Sequence, residues 1–429
     1  MKKKYRIILY TSIFLLCVVA SIILVVKKSN SVYEEESKPK VVKHKSMLSM
    51  NLEQTAGAGD YKTVTQSKWP TEGYKFNAQL SRCENGSTLS WDDTKKAVIV
   101  SGNLSDKCYV YFDIYQPTLA EYIKSQYTGT QGDNALYYHN STLTNGAGDN
   151  SYRYAGANPN NFVCFGSDTS PCPTDNLYRI IGVFGENYHG VTGKQLVKLI
   201  KYDYMTTDEL GTDGDYSQTY KEWGMDSTYK GTYGDGERIG VYYWNYKATG
   251  SATNTWSTSL LNKTNLNTNF INNIGTTWAN KIATVTWKVG GNTYANISDV
   301  VPATTYQNEI VNPVTTNTTD NATTYSAKIG LMYVSDYGFA ASPDAWTLTM
   351  SSYNNTTATN NNWMYMGLYE WTISRNAAIA YRAFDVYYDG YVNYDDVDIV
   401  NGVRASFSLE SSVSYVSGSG SMSDPIVIN

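Results

Sequence analysis

Acidic, amide and phenolic side chains gather in one stretch near the C-terminal end of this chain. Between Asn376 and Ala405, Asp385, Tyr387, Tyr388, Asp389, Tyr391, Asn393, Tyr394, Asp395, Asp396 and Asp398 fill the gaps of a small frame. The frame is Phe384, Val386, Gly390, Val392, Val397, Gly402, Val403 and Arg404. Tyrosine gives a large amphipathic contact at low entropy cost, and Asp and Asn give adaptable hydrogen bonds, the mixture that binding loops use. The ten residues are therefore the candidate contacts for an extracellular protein or a glycan. Side chains alternate along a strand, so some of Tyr387, Tyr391 and Tyr394 must face away from Val386 and Val392.

Two other chemistries compete for the same residues. Asp385, Asp389, Gly390, Val392, Asn393 and Asp396 match positions 1, 5, 6, 8, 9 and 12 of an EF-hand loop, with Gly390 in the turn position. Against calcium, Tyr387 stands at position 3 and Asp396 replaces the bidentate Glu. The following VDIVNGV is also β-branched rather than helical. Glycoside hydrolysis needs two carboxylates at a set separation, and no spacing singles out a pair. No GxSxG, HExxH or P-loop is present. His44, His139 and His189 are scattered, so neither a zinc site nor a general base is indicated. No catalytic residue is assigned and no cofactor is expected, calcium being the one candidate.

The elements that must present this stretch come from a chain of 429 residues, long enough for a full core and two or three domains. Charged residues make up 17% of it, below the usual share of roughly 25%, while 39 tyrosines raise the aromatic share to 14%. This suits a loop-rich all-β or α+β extracellular protein. A net charge of −5, with no basic stripe beyond the N-terminus, argues against a nucleic-acid partner.

Lys2, Lys3, Lys4 and Arg6 precede an uncharged run from Ile7 to Val26. At 1.5 Å per residue the run spans about 30 Å, the thickness of a bilayer core. The flanking charges place the N-terminus in the cytoplasm. Residues 1–28 are thus expected to be an uncleaved single-pass anchor, a cleaved signal peptide being the rival. Residues 29–70 read as a flexible stalk, with the run AGAGD at Ala56–Asp60. Residues 71–115 read as a small β unit, with strands at Lys96–Val100 and Cys108–Phe112. Residues 116–150 read as a short amphipathic helix and a linker, and 151–429 as the main domain. There Tyr178–Phe184, Gln195–Tyr202, Ile282–Val289 and Lys328–Val334 are expected strands, Trp256–Ile274 a helix, and Asn308–Thr324 a loop insertion.

Cys83, Cys108, Cys164 and Cys172 lie beyond the apolar run and allow three pairings. Cys83–Cys108 and Cys164–Cys172 are favoured because each closes a short local loop, worth about 3 kcal/mol in the chain-entropy model. Four free thiols are the alternative.

Several segments of the main domain resemble a group of membrane-anchored bacterial surface proteins. They are NLYRIIGVF, VKLIK, KIGLMYVSDYGFAASPDAW, NNWMYMGLYEWTISR and GVRASFSL with the later YVSGSGSMSDPI. Their C-terminal domain is similar to the bacterial C-type-lectin-like fold, related to formylglycine-generating enzyme. The resemblance covers about 151–429. It implies an α+β scaffold with adjacent terminal strands and a loop-rich binding face. The enzyme's chemistry uses cysteines near the C-terminus, and this chain has none after Cys172. Some proteins of this kind are varied by diversity-generating retroelements, which alter adenines mostly at Asn codons. An AAC codon so altered cannot encode Lys, Glu, Gln, Met or Trp, and 376–405 lacks all five. The resemblance therefore implies a varied display face. The whole chain is expected to be α+β: an N-terminal transmembrane helix, a small disulfide-stapled β unit and a C-terminal C-type-lectin-like domain that binds without catalysis at the bacterial surface.

Overall fold

The computed structural model describes residues 48–65, 68–70, 73–103, 105–224, 228–313 and 322–429. The expected membrane anchor, 1–28, lies outside them. Among the described residues no helix is long and apolar enough to cross a membrane. The chain is α+β, dominated by sheets, with two disulfides. It forms two compact units that meet in sequence at Tyr115 and Gln116.

The first unit is built on strand β1 (Leu48–Glu53), which lies between β2 (Tyr61–Val64) and β7 (Cys108–Ile114). Strands β3 (Tyr74–Phe76) and β4 (Arg82–Cys83) also pair with β7, and β5 (Thr88–Asp92) forms a hairpin with β6 (Ala97–Ser101). Residues 48–65 of the expected stalk, 29–70, therefore belong to this sheet instead, and 29–47 lie outside the described residues. The alternation of LSMNLE puts Met50 and Leu52 against Val110 and Phe112, and the hydrophobic run of β7 supplies the other half of the core. Four buried residues make a small core, and the Cys83–Cys108 disulfide joins β4 directly to β7.

The second unit begins at Gln116, so the expected linker belongs to it. In the helix Leu119–Ser125, Leu119 and Ile123 are buried, and Thr118 and Glu121 form a reciprocal capping box. The expected linker contributes an edge strand, β8 (Leu136–Tyr138), paired with β9 (Tyr152–Tyr154). The main sheet continues through β11 (Leu177–Phe184), β12 (Leu196–Lys201), β22 (Ser406–Ser408) and β17 (Ile329–Gly330), with β10 (Phe162–Cys164) beside β11. Every residue of β11 and β12 is buried. Unbroken runs such as LYRIIGVF are the signature of strands covered on both faces. Gly182 lets β9 approach, since a Cβ there would stand 2.2 Å from the Tyr152 carbonyl oxygen. The second disulfide, Cys164–Cys172, ties β10 to the loop that leads into β11.

Smaller sheets surround this one. Strand β14 (Gly240–Tyr243) lies between β13 (Tyr216–Thr219) and β21 (Val400–Asn401), β15 (Val285–Lys288) pairs with β16 (Thr324–Ala327), and β23 (Tyr415–Ser417) pairs with β24 (Val427–Ile428). The helical pattern after Trp256 is realised from Leu261 as a π-helical stretch and then a helix at Ile271–Ala279; Leu260 stays exposed. The strand expected at Lys328–Val334 is only two residues long, because the chain turns into the helix Val334–Ala340. Within the expected insertion, 314–321 lie outside the described residues. Glu309 is nonetheless a core residue, accepting the N–H groups of Val334 and Ser335 at that helix's start. Burial pushes its carboxyl up to about 7.

The two ends of the second unit meet. Leu119 N–H donates to Val413 O, Tyr122 stacks on Tyr415 at 3.7 Å, and Val163 bridges Ile426.

Candidate functional site

The acidic and tyrosine-rich stretch is a β-hairpin. Strand β19 (Arg382–Val386) lies between β18 (Glu370–Arg375) and β20 (Val392–Asp396). The register sets Arg382 opposite Asp396, Phe384 opposite Tyr394, Asp385 opposite Asn393 and Val386 opposite Val392. At the tip, Gly390 adopts φ +101° and its N–H closes the turn onto Tyr387 O. The tip is pinned from below: Tyr337 Oη donates to Gly390 O at 2.7 Å, and Tyr365 Oη donates to Tyr388 O at 2.6 Å.

Alternation then sorts the side chains into two faces. Phe384, Val386 and Val392 are buried in the core. Tyr394 and Asp396 share their face. Tyr394 packs edge-on against Tyr294 at 5.2 Å, and Asp396 takes Arg382 Nε at 2.6 Å, with the guanidinium over the Tyr394 ring. These two sequence-predicted contacts are therefore engaged on the core side of the hairpin. Tyr387, Tyr391, Asn393 and Asp395 take the other face and are half-buried, with Tyr388 and Asp389 at the tip. Asp398 is exposed in the turn that follows.

The outward face continues beyond the hairpin. Tyr387 lies 4.5 Å from Tyr391 and 4.8 Å from Tyr369, centroid to centroid; Tyr369 lies 5.5 Å from Trp223. Tyr369 and Trp223 come from outside the acidic stretch. Tyr369 precedes β18, whose pairing of Glu370 with Val386 brings it beside Tyr387. Only that register could have found it from sequence. Beneath the rings lies a separate small core of Tyr204, Tyr220, Ile239, Val241, Met366, Leu368 and Val400, and Tyr220 Oη donates to Tyr369 O at 2.8 Å.

Asp385 differs from the expectation. It lies at the root of the tyrosine face but is fully buried, accepting Asn401 Nδ2 at 3.0 Å. Burial, and then the Asp395 carboxylate, push its carboxyl far above the ordinary carboxylate range. Its protonated form is favoured there, and the side chain sits buried behind Asp395 rather than open to a ligand. Burial also raises Asp395, opposed by Tyr387 Oη, which lies 3.1 Å from its Oδ2. The EF-hand spacing is laid along two antiparallel strands, so its positions do not wrap one centre. Among the described residues no group of three or more His, Cys, Asp or Glu side chains is gathered as metal ligands would be.

His139 and His189 are buried structural residues. His139 is packed against Phe339 and Trp346, its Nδ1 takes Ala147 N–H, and burial holds its imidazole well below the usual range. His189 caps its own turn by taking Val191 N–H.

No family model, curated protein or solved structure matches the chain.

Proposed function

We propose that the second unit is a non-catalytic binding module of a bacterial cell-surface protein. Its contact face is Tyr369, Tyr387, Tyr388, Tyr391, Asn393 and Asp395, with Trp223 at its margin. One observation carries this reading: the hairpin turns Phe384, Val386 and Val392 into the core and Tyr387 and Tyr391 to the other face, beside Tyr369 and, next to it, Trp223 from other elements. Rings held by their neighbours lose little entropy on binding, and carboxylate and amide groups beside them select partners with hydroxyls or N–H donors. The ligand class is an extracellular protein or a glycan. The fold assignment within this proposal is C-type-lectin-like. It is supported by the joined ends of the unit and the hairpin presented near them in sequence. Anchoring by residues 7–26 is the matching localisation. A cell-wall glycan binder with structural duty is the second reading, favoured by the run of neighbouring rings from Tyr391 through Tyr387 and Tyr369 to Trp223.

The test is an array of glycans and of extracellular protein fragments probed with the second unit's wild-type face and with a Tyr387→Ala/Tyr391→Ala variant in the full chain. Binding that the variant loses supports the proposal. Binding that both share places the contact elsewhere. Reading the DNA around codons 376–405 separates the two ligand readings. A near-copy with Asn codons at the gap positions, beside a reverse transcriptase gene, marks a varied display face. Gap codons ending in A or G, with no such copy, mark a fixed binder.

A further inference from the structure

Lys198 on β12 and Asp336 in the helix Val334–Ala340 are opposite charges sealed in the core of the second unit, their side chains 1% and 0% exposed. Lys198 Nζ lies 2.6 Å from Asp336 Oδ2 and 2.9 Å from Tyr188 Oη. Tyr188 Oη in turn donates a short hydrogen bond to Asp336 Oδ1. One phenol therefore bridges the amine to the far oxygen of the acid. Rings enclose the amine, with Tyr333, Tyr188 and Trp287 centroids at 4.5, 4.8 and 5.0 Å. Beside it a cavity of about 10 Å³, bounded in part by Lys198, Tyr188, Trp287 and Tyr333, has room for about one water. Tyr333 N–H donates to Oδ2 at 3.0 Å, and Arg153 Nη1 lies 3.9 Å from Oδ1, its guanidinium otherwise held by Asp149 at 2.8 Å.

We propose that Lys198 and Asp336 condense into an intramolecular amide, a covalent cross-link between β12 and the helix. The Lys198 ammonium passes a proton to Tyr188 Oη while Tyr188 passes its own to Oδ1. This leaves a neutral amine beside a neutral carboxylic acid. Burial favours the neutral amine, although the Asp336 charge opposes it. The acid carbon is one C–O bond beyond Oδ2, within about 4 Å of Nζ, close to the roughly 3–3.5 Å of a near-attack geometry. The nitrogen lone pair forms the N–Cγ bond, and the C=O electron pair moves onto Oδ2, where the Tyr333 N–H already points. Tyr188 then relays one amine proton to Oδ1, the Cγ–Oδ1 bond breaks, and water leaves into the adjoining cavity. The nitrogen keeps one hydrogen. Amine and acid yield amide and water, with no oxidant, reductant or cofactor. The product also removes two charges from a site where keeping them is costly.

The experiment is the intact mass of the denatured full chain with both disulfides retained, followed by peptide mapping. The expected result is a mass about 18 Da below the disulfide-bonded sequence, one water lost, with a branched peptide joining Lys198 to Asp336. Lys198→Arg keeps a cation against Asp336 and is expected to show no loss. Tyr188→Phe removes the relay and is expected to leave most molecules uncondensed. A wild-type chain at the uncondensed mass overturns the proposal, as does a loss of water mapped to any other pair of residues. The ion pair would then be a purely non-covalent core contact.

Discussion

The Tyr337 hydroxyl donates to the Gly390 carbonyl at 2.7 Å, so the tip of the tyrosine-rich hairpin hangs from the core by a residue 53 positions earlier. Tyr337 is itself buried. Tyr337→Phe leaves a buried carbonyl unpaired and is expected to cost about 1–3 kcal/mol. Gly390→Ala is expected to cost more. Its φ is strained for any side chain, and a Cβ would stand 2.6 Å from Thr359 Cγ2. Thermal unfolding of the two variants ranks them; an unchanged melting temperature for Gly390→Ala would contradict the pinned tip.

Tyr387 and Tyr394 belong to one hairpin but to opposite faces, which separates binding from folding. Tyr387→Ala and Tyr369→Ala are expected to weaken ligand capture roughly tenfold to a hundredfold, about 1.4–2.8 kcal/mol, with stability little changed. Tyr394→Ala should do the reverse, because its ring packs on Tyr294 and under Arg382. Parallel titrations and melts of the three variants provide the comparison. Equal loss of affinity in all three would mean that the faces are not functionally distinct.

Asp385 sets a pH dependence. Its carboxyl is raised in the folded state above the ordinary 3.8 by burial and by Asp395. The folded state thus binds this proton more tightly than the unfolded state. The resulting stabilisation is full below about pH 3.8 and is lost as pH rises through the folded value. Asp385→Asn keeps a donor toward Asp395 without titrating. Wild type and variant are expected to lie within about 1 kcal/mol at pH 4, with the wild type falling behind by pH 8. Urea unfolding at several pH values checks this, and parallel curves would show that Asp385 is not held neutral.

Reduction should act first on the smaller unit. Four buried residues form its core, and the Cys83–Cys108 bond, spanning 25 positions, restricts its unfolded chain by about 3 kcal/mol. The second unit has two fully buried sheet strands and a disulfide that spans only 8 positions. Proteolysis in dithiothreitol is expected to cut within 48–115 while 116–429 persists. Simultaneous loss of both units would show that the second also depends on its bond.

The frame of the hairpin was legible because alternation and Gly390 are local properties. Phe384, Val386 and Val392 announce the buried face, and the two disulfides followed from short loops. What alternation does not encode is the partner across a strand. Tyr369 joins the face only through the register of β18 with β19, and Asp385 reads as a surface acid until Asn401 and Asp395 close over it. Lys328–Val334 looked like one apolar strand because β-branched and aromatic residues suit buried helices as well; Glu309, far upstream, caps the helix that replaces it. LVKLIK likewise showed a strand, but nothing near Lys198 announced Tyr188 and Asp336 as its partners.

Ile426 and Ile428 are buried, and Ile426 pairs with Val163 while Ile428 pairs with Tyr415. The second unit therefore closes only when the chain has been translated through these residues in the correct reading frame. A one-base insertion or a stop codon anywhere in the hairpin's coding sequence would remove Ile426 and Ile428, whatever side chains the hairpin carried. Closure of the unit thus depends on residues made after the hairpin, and not on the side chains of the hairpin's outward face.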